Sequence, residues 1–247
     1  MRALAEIHAQ ICEYVRPATF PLALRLVKRG EDLPERAKRP FRDFGEKMSL
    51  CQVVTMTRRH GWAMYLGAED AACPIQRRLF GLDSGEDDFA LSHPCAPSED
   101  LHSLAGGAAT GSGSTLTDYA GVLVAPIARA TFAPDVFVVY GNSAQVMVLM
   151  SAWALDRPGE MPSSVSAAPD CADVLLRTAA EGRPRLILPC NGSRVYGHTE
   201  DWEMAFSTPA CLIDGIIDGL VRCHERGIQY PVLRSSWSRT DGGGGGI

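Results

Sequence analysis

Eight cysteines, at positions 12, 51, 73, 95, 171, 190, 211 and 223, are the residues of this chain with the most chemistry to offer. In a reducing compartment, thiols in such number are left to packing, metal binding or catalysis rather than to disulfides. Three have related surroundings. Cys73 precedes Pro74 and Cys171 follows Asp170, both at expected helix starts, and Cys190 ends a short apolar run before the turn residues Asn191-Gly192. A helix start offers unpaired N–H groups and the positive end of the dipole. Both favour thiolate, the form that binds metal or attacks an electrophile. Cys12, Cys211 and Cys223 fall on helical stretches and are expected to pack as small apolar residues. Cys95, two residues from His93, could serve a loop metal site or a reactive thiol. The separations are wide, unlike the close-set pairs of zinc ribbons and ferredoxins, so only the fold could unite these residues.

The densest stretch of polar chemistry runs from Arg185 to Pro209. The apolar run 186–188 delivers Cys190 into a turn, and Arg194, His198, Glu200, Asp201 and Glu203 follow within about one loop. Arg194 could grip a carboxylate or phosphate with its two-pronged guanidinium. Asp201 and Glu203 flank Trp202 and would share a side if the stretch were extended, giving a paired-carboxylate acid or base; an acidic loop facing water explains them equally. His198 could act as a base or a ligand, and with Cys190 as nucleophile it would make a cofactor-free thiol enzyme. There is no nucleophile elbow, dinucleotide fingerprint or metalloprotease helix.

Elements legible from periodicity must position these groups. Leu4, Ile7, Ile11, Cys12 and Val15 recur with helical spacing, which predicts a helix over 2–15 that Pro17 stops. A strand over 21–27 and a charged surface loop over 28–42 follow. Residues 44–60 are helical in spacing and end at Gly61, 62–66 form a short strand, and Pro74 opens another helix. From 83 to 118 Gly, Ser, Asp and Pro dominate, and the segment is expected to be a flexible loop or lid. Its glycines lack the Gly-Lys-Ser/Thr ending of a phosphate loop. Beyond it the pattern predicts strands at 121–125, 136–140, 163–167, 186–188 and 204–207. Helices are expected at 144–155, 171–181 and 210–226, the first capped by Asn142 or Ser143. Several strands are too close for crossover helices, so the fold expected is α+β, a mixed sheet with flanking helices.

The 247 residues fit one large domain over 1–234, with a low-complexity tail at 235–247 that reads as disordered. A net charge of -5 argues against non-specific nucleic-acid binding, which needs a basic face. No apolar run approaches the roughly 18 residues of a membrane span, and the first residues lack the layout of a signal peptide, so a cytoplasmic protein is expected. The weakly charged faces at 144–155 and 213–220 could support a homo-oligomer, or simply the core.

The segments LCQVV at 50–54, DAACP at 70–74, VAPIARATFAPDVFVVYGNSAQVMVL at 124–149, PDCADVL at 169–175, LPCNGSR at 188–194, EDWEMAFSTPA at 200–210 and GIQYPV at 227–232 together resemble domain of unknown function 169, a family of archaea and bacteria. The resemblance spans roughly residues 5–233. It singles out Cys51, Cys73, Cys171 and Cys190 as the thiols within family motifs, a number that matches a four-iron cluster (4Fe-4S) or a tetrathiolate zinc site. The family's occurrence in anaerobes favours iron–sulfur. It also implies Gln52, Asn142 and Gln145, with Arg194, Asp201 and Glu203, as pocket residues around a bound group. The leading expectation is therefore an iron–sulfur enzyme acting on a small anionic molecule by redox or lyase chemistry. The alternatives are a zinc-stabilised or metal-free small-molecule binding protein, and the Cys190 thiol enzyme.

Overall fold

In a computed structural model of the protein, residues 1–79, 82, 119–157 and 170–231 are described. The expected lid at 83–118, the strand at 163–167, the tail and the His93–Cys95 pair lie outside them.

Six strands form one sheet: β1 (Leu22–Lys28), β2 (Met64–Gly67), β3 (Tyr119–Pro126), β4 (Val136–Gly141), β5 (Arg185–Ile187) and β6 (Met204–Pro209). Their spatial order is β2-β3-β1-β4-β6-β5, and each of the five pairings is antiparallel. The α+β class is as expected. The parallel component of the sheet reduces to two isolated bridges, Lys38 to Met64 and Met48 to Ala71.

Period-two alternation sends side chains to two cores. Leu22, Leu24, Val136, Val138, Tyr140 and Met64 face one side, where α3 (Leu50–His60), α4 (Pro74–Leu79) and a π-helical turn (Ala172–Arg177) cover them. Ala23, Phe137, Val139 and Phe206 face the other, under α1 (Leu4–Tyr14), α5 (Ser143–Ala154) and α8 (Ile213–Glu225). The predicted helix at 44–60 begins only at Leu50 as α3, and a short helix not expected, α2 (Pro40–Phe44), arises largely in the predicted surface loop and is closed by Gly45 in left-handed conformation. The predicted 171–181 helix opens as the π-turn and continues as α6 (Thr178–Glu181). Two carbonyls of that turn are answered by side chains, Asp173 O by Thr178 Oγ1 at 2.7 Å and Val174 O by Ser207 Oγ at 2.6 Å. The turn after Cys190 is a short helix, α7 (Asn191–Val195). Among the described residues no helix is long and apolar enough to cross a membrane.

α8 approaches α5 at Gly219, where a Cβ would come within 2.3 Å of the Ala152 carbonyl oxygen, so only glycine allows the contact. Cys223 is buried in this layer as expected, and Cys12 is half-buried with its sulfur 3.6 Å from His8 Nε2. Cys211 departs from the expectation. It sits in the 3-10 turn Ala210–Leu212 that precedes α8 and is exposed, because the helical stripe begins only at Ile213.

Candidate functional site

Cys51 occupies the second position of α3, Cys73 the residue before α4, Cys171 the residue before the π-turn and Cys190 the residue before α7. Each thiol is thus carried at the beginning of a helical segment, and the antiparallel sheet brings the four segments to one face. α3 is started by Ser49 and Gln52, whose side chains reciprocally bond each other's backbone N–H at 3.2 and 2.8 Å. Gln76 of α4 accepts the N–H of Leu50 at 2.6 Å, while Met48 exchanges backbone hydrogen bonds with Asp70 and Ala72. The beginnings of α3 and α4 are thereby tied together, and Cys73 with Cys51. On the other side, Gly197 lies against Cys51: a Cβ there would stand 3.0 Å from Cys51 Cβ and 2.7 Å from Ser193 O. The Gly197 carbonyl accepts the hydroxyl of Thr55, which fastens the α7 region to α3.

Asp170 stands at the centre, 3% exposed. Its Oδ1 accepts from Cys190 Sγ at 3.6 Å and from Cys51 Sγ at 3.9 Å, and its Oδ2 accepts the hydroxyl of Ser193. Burial pushes its carboxyl above the usual aspartate range, against the hydrogen bonds from Ser193 and Cys190 and from the backbone N–H groups of Cys190 and Cys171. Burial also pushes the Cys51 and Cys171 thiols well up, and the Asp170 carboxylate and the other thiols of the set add to it. For Cys171 the sequence led to the opposite expectation, that a helix start would lower the value. The dry surroundings and the neighbouring carboxylate outweigh that and disfavour thiolate at Cys51 and Cys171. Among the described residues no three His, Cys, Asp or Glu side chains form a ready-made metal set. As it stands, the pocket is a hydrogen-bonded thiol–carboxylate network. Its donors nonetheless fit a thiolate-bound metal or cluster in type and number.

Arg58 and Glu203 form a forked ion pair beside this pocket, with Arg58 also 4.5 Å over the ring of Tyr140. Burial pushes the Tyr140 phenol well above its ordinary value, and Asp170 and Cys51 act on it in the same sense. The ion pair therefore lies one aromatic ring from the thiols.

The other expected site residues divide. Arg194 follows Cys190 by one helical turn, but its Nη1 donates to Glu200 O at 2.9 Å and stands 3.8 Å from a fully exposed Asp201. Residues 200–203 are a turn closed by Glu203 N–H to Glu200 O, so Asp201 points to water and Glu203 inward, and they are not a carboxylate pair. His198 is exposed in left-handed backbone, and its carbonyl accepts from Arg59; Cys190 has Asp170 beside its sulfur instead. Gln52 caps α3. Asn142 and Gln145 cap α5 reciprocally at 2.9 Å, and Gln145 also donates to Val15 O and Arg16 O on the opposite side of the sheet from the thiols.

Asp170, Ser193 and Arg58 were missed by sequence reasoning as site residues. Arg58 had a signal: it follows Leu50, Val53, Val54 and Thr57 on the buried stripe of α3, where a cation needs a buried partner.

No curated protein and no solved structure matches the chain. The family model described as uncharacterised ArCR, domain of unknown function 169, matches residues 10–219, a span that contains all four pocket cysteines, and the chain belongs to that family.

Proposed function

We propose that the pocket of Cys51, Cys73, Cys171 and Cys190 is a metal centre with an iron–sulfur cluster as its occupant, and that the protein is an enzyme acting on a small anionic molecule. The observation that carries this reading is the convergence of four cysteines from four separate segments, two of whose thiols share one buried carboxylate. Packing alone would explain one buried and three half-buried cysteines, since thiols bury as small apolar groups. It does not explain a carboxylate among them, because a buried charge is costly unless hydrogen-bonded. When bound, the cluster supplies electron transfer if all four thiols ligate it, or Lewis-acid lyase chemistry if one iron stays open. The chain's own residues do the rest. Cys171 is the buried member of the set, and Cys51, Cys73 and Cys190 are half-buried. Arg194 and the exposed Arg59 offer guanidinium groups for an anion.

A zinc tetrathiolate is the second reading, favoured by the position of Cys171 and Cys73 within the sheet–helix core, where structural sites are closed. Metal and acid-labile sulfide analysis with a visible spectrum, on protein purified without oxygen, separates the two. Brown protein with iron and sulfide, both lost in the Cys51/Cys73/Cys171/Cys190 quadruple alanine variant, is expected. Colourless protein with one zinc moves the centre to the second reading. Absence of any metal after anaerobic reconstitution overturns both.

A further inference from the structure

The same carboxylate touches three of the four cysteine segments. Asp170 Oδ1 receives the thiols of Cys51 from α3 and Cys190 from α7, its Oδ2 receives Ser193, and the backbone N–H groups of Cys190 and Cys171 point at it. Asp170 Oδ1 is thus a shared acceptor for Cys51 and Cys190, whose positions are 139 apart in sequence, and Ser193 adds a hydrogen bond to Cys51 from the same segment as Cys190. We propose that Asp170 is the positioning residue of the thiol pocket. It gathers Cys51 and Cys190 onto one oxygen and fixes α7 through Ser193, so that the donors stand together before a metal arrives. This rests on the metal-centre reading above and adds a residue to it.

A positioning role has a signature that a ligand or a charge would not share. Asparagine keeps an oxygen that can accept from both thiols and an amide that can donate to Ser193 Oγ, so Asp170→Asn should rescue what Asp170→Ala loses. Charge alone predicts the opposite sign for both variants, since a carboxylate disfavours a net-negative tetrathiolate site.

The experiment is an anaerobic titration of reduced, metal-free full-length protein with cobalt(II), read by the thiolate charge-transfer and ligand-field bands, with circular dichroism to confirm folding. Partners that orient ligands typically cost about 10–100-fold in metal affinity when removed, so at least a tenfold loss is expected for Asp170→Ala, with the band shape unchanged. Asp170→Asn should stay within about threefold of the wild type. Equal affinity in all three proteins overturns the proposal, as does a band shape that changes when Asp170 is replaced, which would make the residue a ligand. If Asp170→Ala does not fold, Ser193→Ala carries the comparison, with an expected loss of about threefold or more.

A second probe is independent of metal. Phenylarsine oxide, a trivalent arsenical, bridges two adjacent thiols: two As–S bonds form, two S–H bonds break, and the oxide oxygen leaves as water. The wild type and Asp170→Asn should hold one arsenical across Cys51 and Cys190. Asp170→Ala should release it to at least tenfold less competing dithiol. Equal retention by Asp170→Ala overturns the positioning role. A wild type that takes the arsenical but no cobalt, zinc or iron overturns the metal centre alone.

Discussion

Arg58 and Glu203 are joined Nη1 to Oε1 at 2.5 Å and Nη2 to Oε2 at 2.8 Å, with side chains only 0% and 3% exposed and positions 145 apart in the chain. The pair locks the end of α3 to the entry of β6. Removing one partner of such a pair leaves an uncompensated buried charge, which costs about 3–5 kcal/mol. Glu203→Ala and Arg58→Ala should each fall in that range by urea denaturation. The double replacement by Met should cost clearly less than the two single losses added. A double variant as unstable as that sum would mean the two side chains act separately.

The pair also sets an acid limb. Burial pushes the Glu203 carboxyl up, but the hydrogen bonds and charge of Arg58 and the N–H of Glu200 outweigh it, and the group ends below the usual glutamate value. A carboxyl lowered in the folded state contributes stability that is complete above its unfolded value, near about pH 4.3, and is lost as the pH falls through the lower folded value. Urea midpoints measured at intervals from about pH 6 down to about pH 3 should fall more steeply for the wild type than for the Arg58/Glu203 double Met variant. Parallel curves would remove Glu203 from the account.

Two glycines test the two faces of the sheet separately. Gly197→Ala would press on Ser193 O and Cys51, and Gly219→Ala on the Ala152 carbonyl. Overpacking of this kind costs about 1–3 kcal/mol at either position. Only Gly197→Ala should also lower metal uptake, because Gly219 lies between α5 and α8 on the far side of the sheet from the thiols. Equal metal content in the two variants would separate the α7 region from the pocket.

The caps give a third contrast. Asn142→Ala should cost about 1 kcal/mol as a lost N-cap and leave metal content at the wild-type level. A loss of metal without a loss of thermal stability would return Asn142 to the pocket that the family resemblance implied.

Much of the fold was legible because periodicity is local. The stripe of α1, the closing glycines at 61, 182 and 227, and the apolar runs of β1 and β4 all reside in short windows. The short helix α7 was not legible, since five residues after Pro189-Cys190 look the same as a turn. The site was half legible. Four cysteines stood out by local context and family motif, but the carboxylate that joins them reads in sequence as an ordinary helix-starting aspartate between Pro169 and Cys171. Its partners come from α3 and α7, and the register of the sheet that unites them is not written in any one segment. The same holds for Glu203. As one of three acidic residues in a loop it read either as half of a carboxylate pair or as solvent-facing, and only a turn at 200–203 directs it inward to a cation far back in the chain.

The four thiols are distributed from residue 51 to residue 190, and the last of them is held in place by β6 and the turn before it. No amino-terminal fragment of the chain can therefore own the pocket. On the ribosome, the donors from α3 and α4 would emerge long before their partners and wait as separate, unassembled thiols until the residues up to about β6 have left the exit tunnel. Assembly of the four-cysteine cluster consequently waits for β6, and its completion reports that the whole sheet has closed.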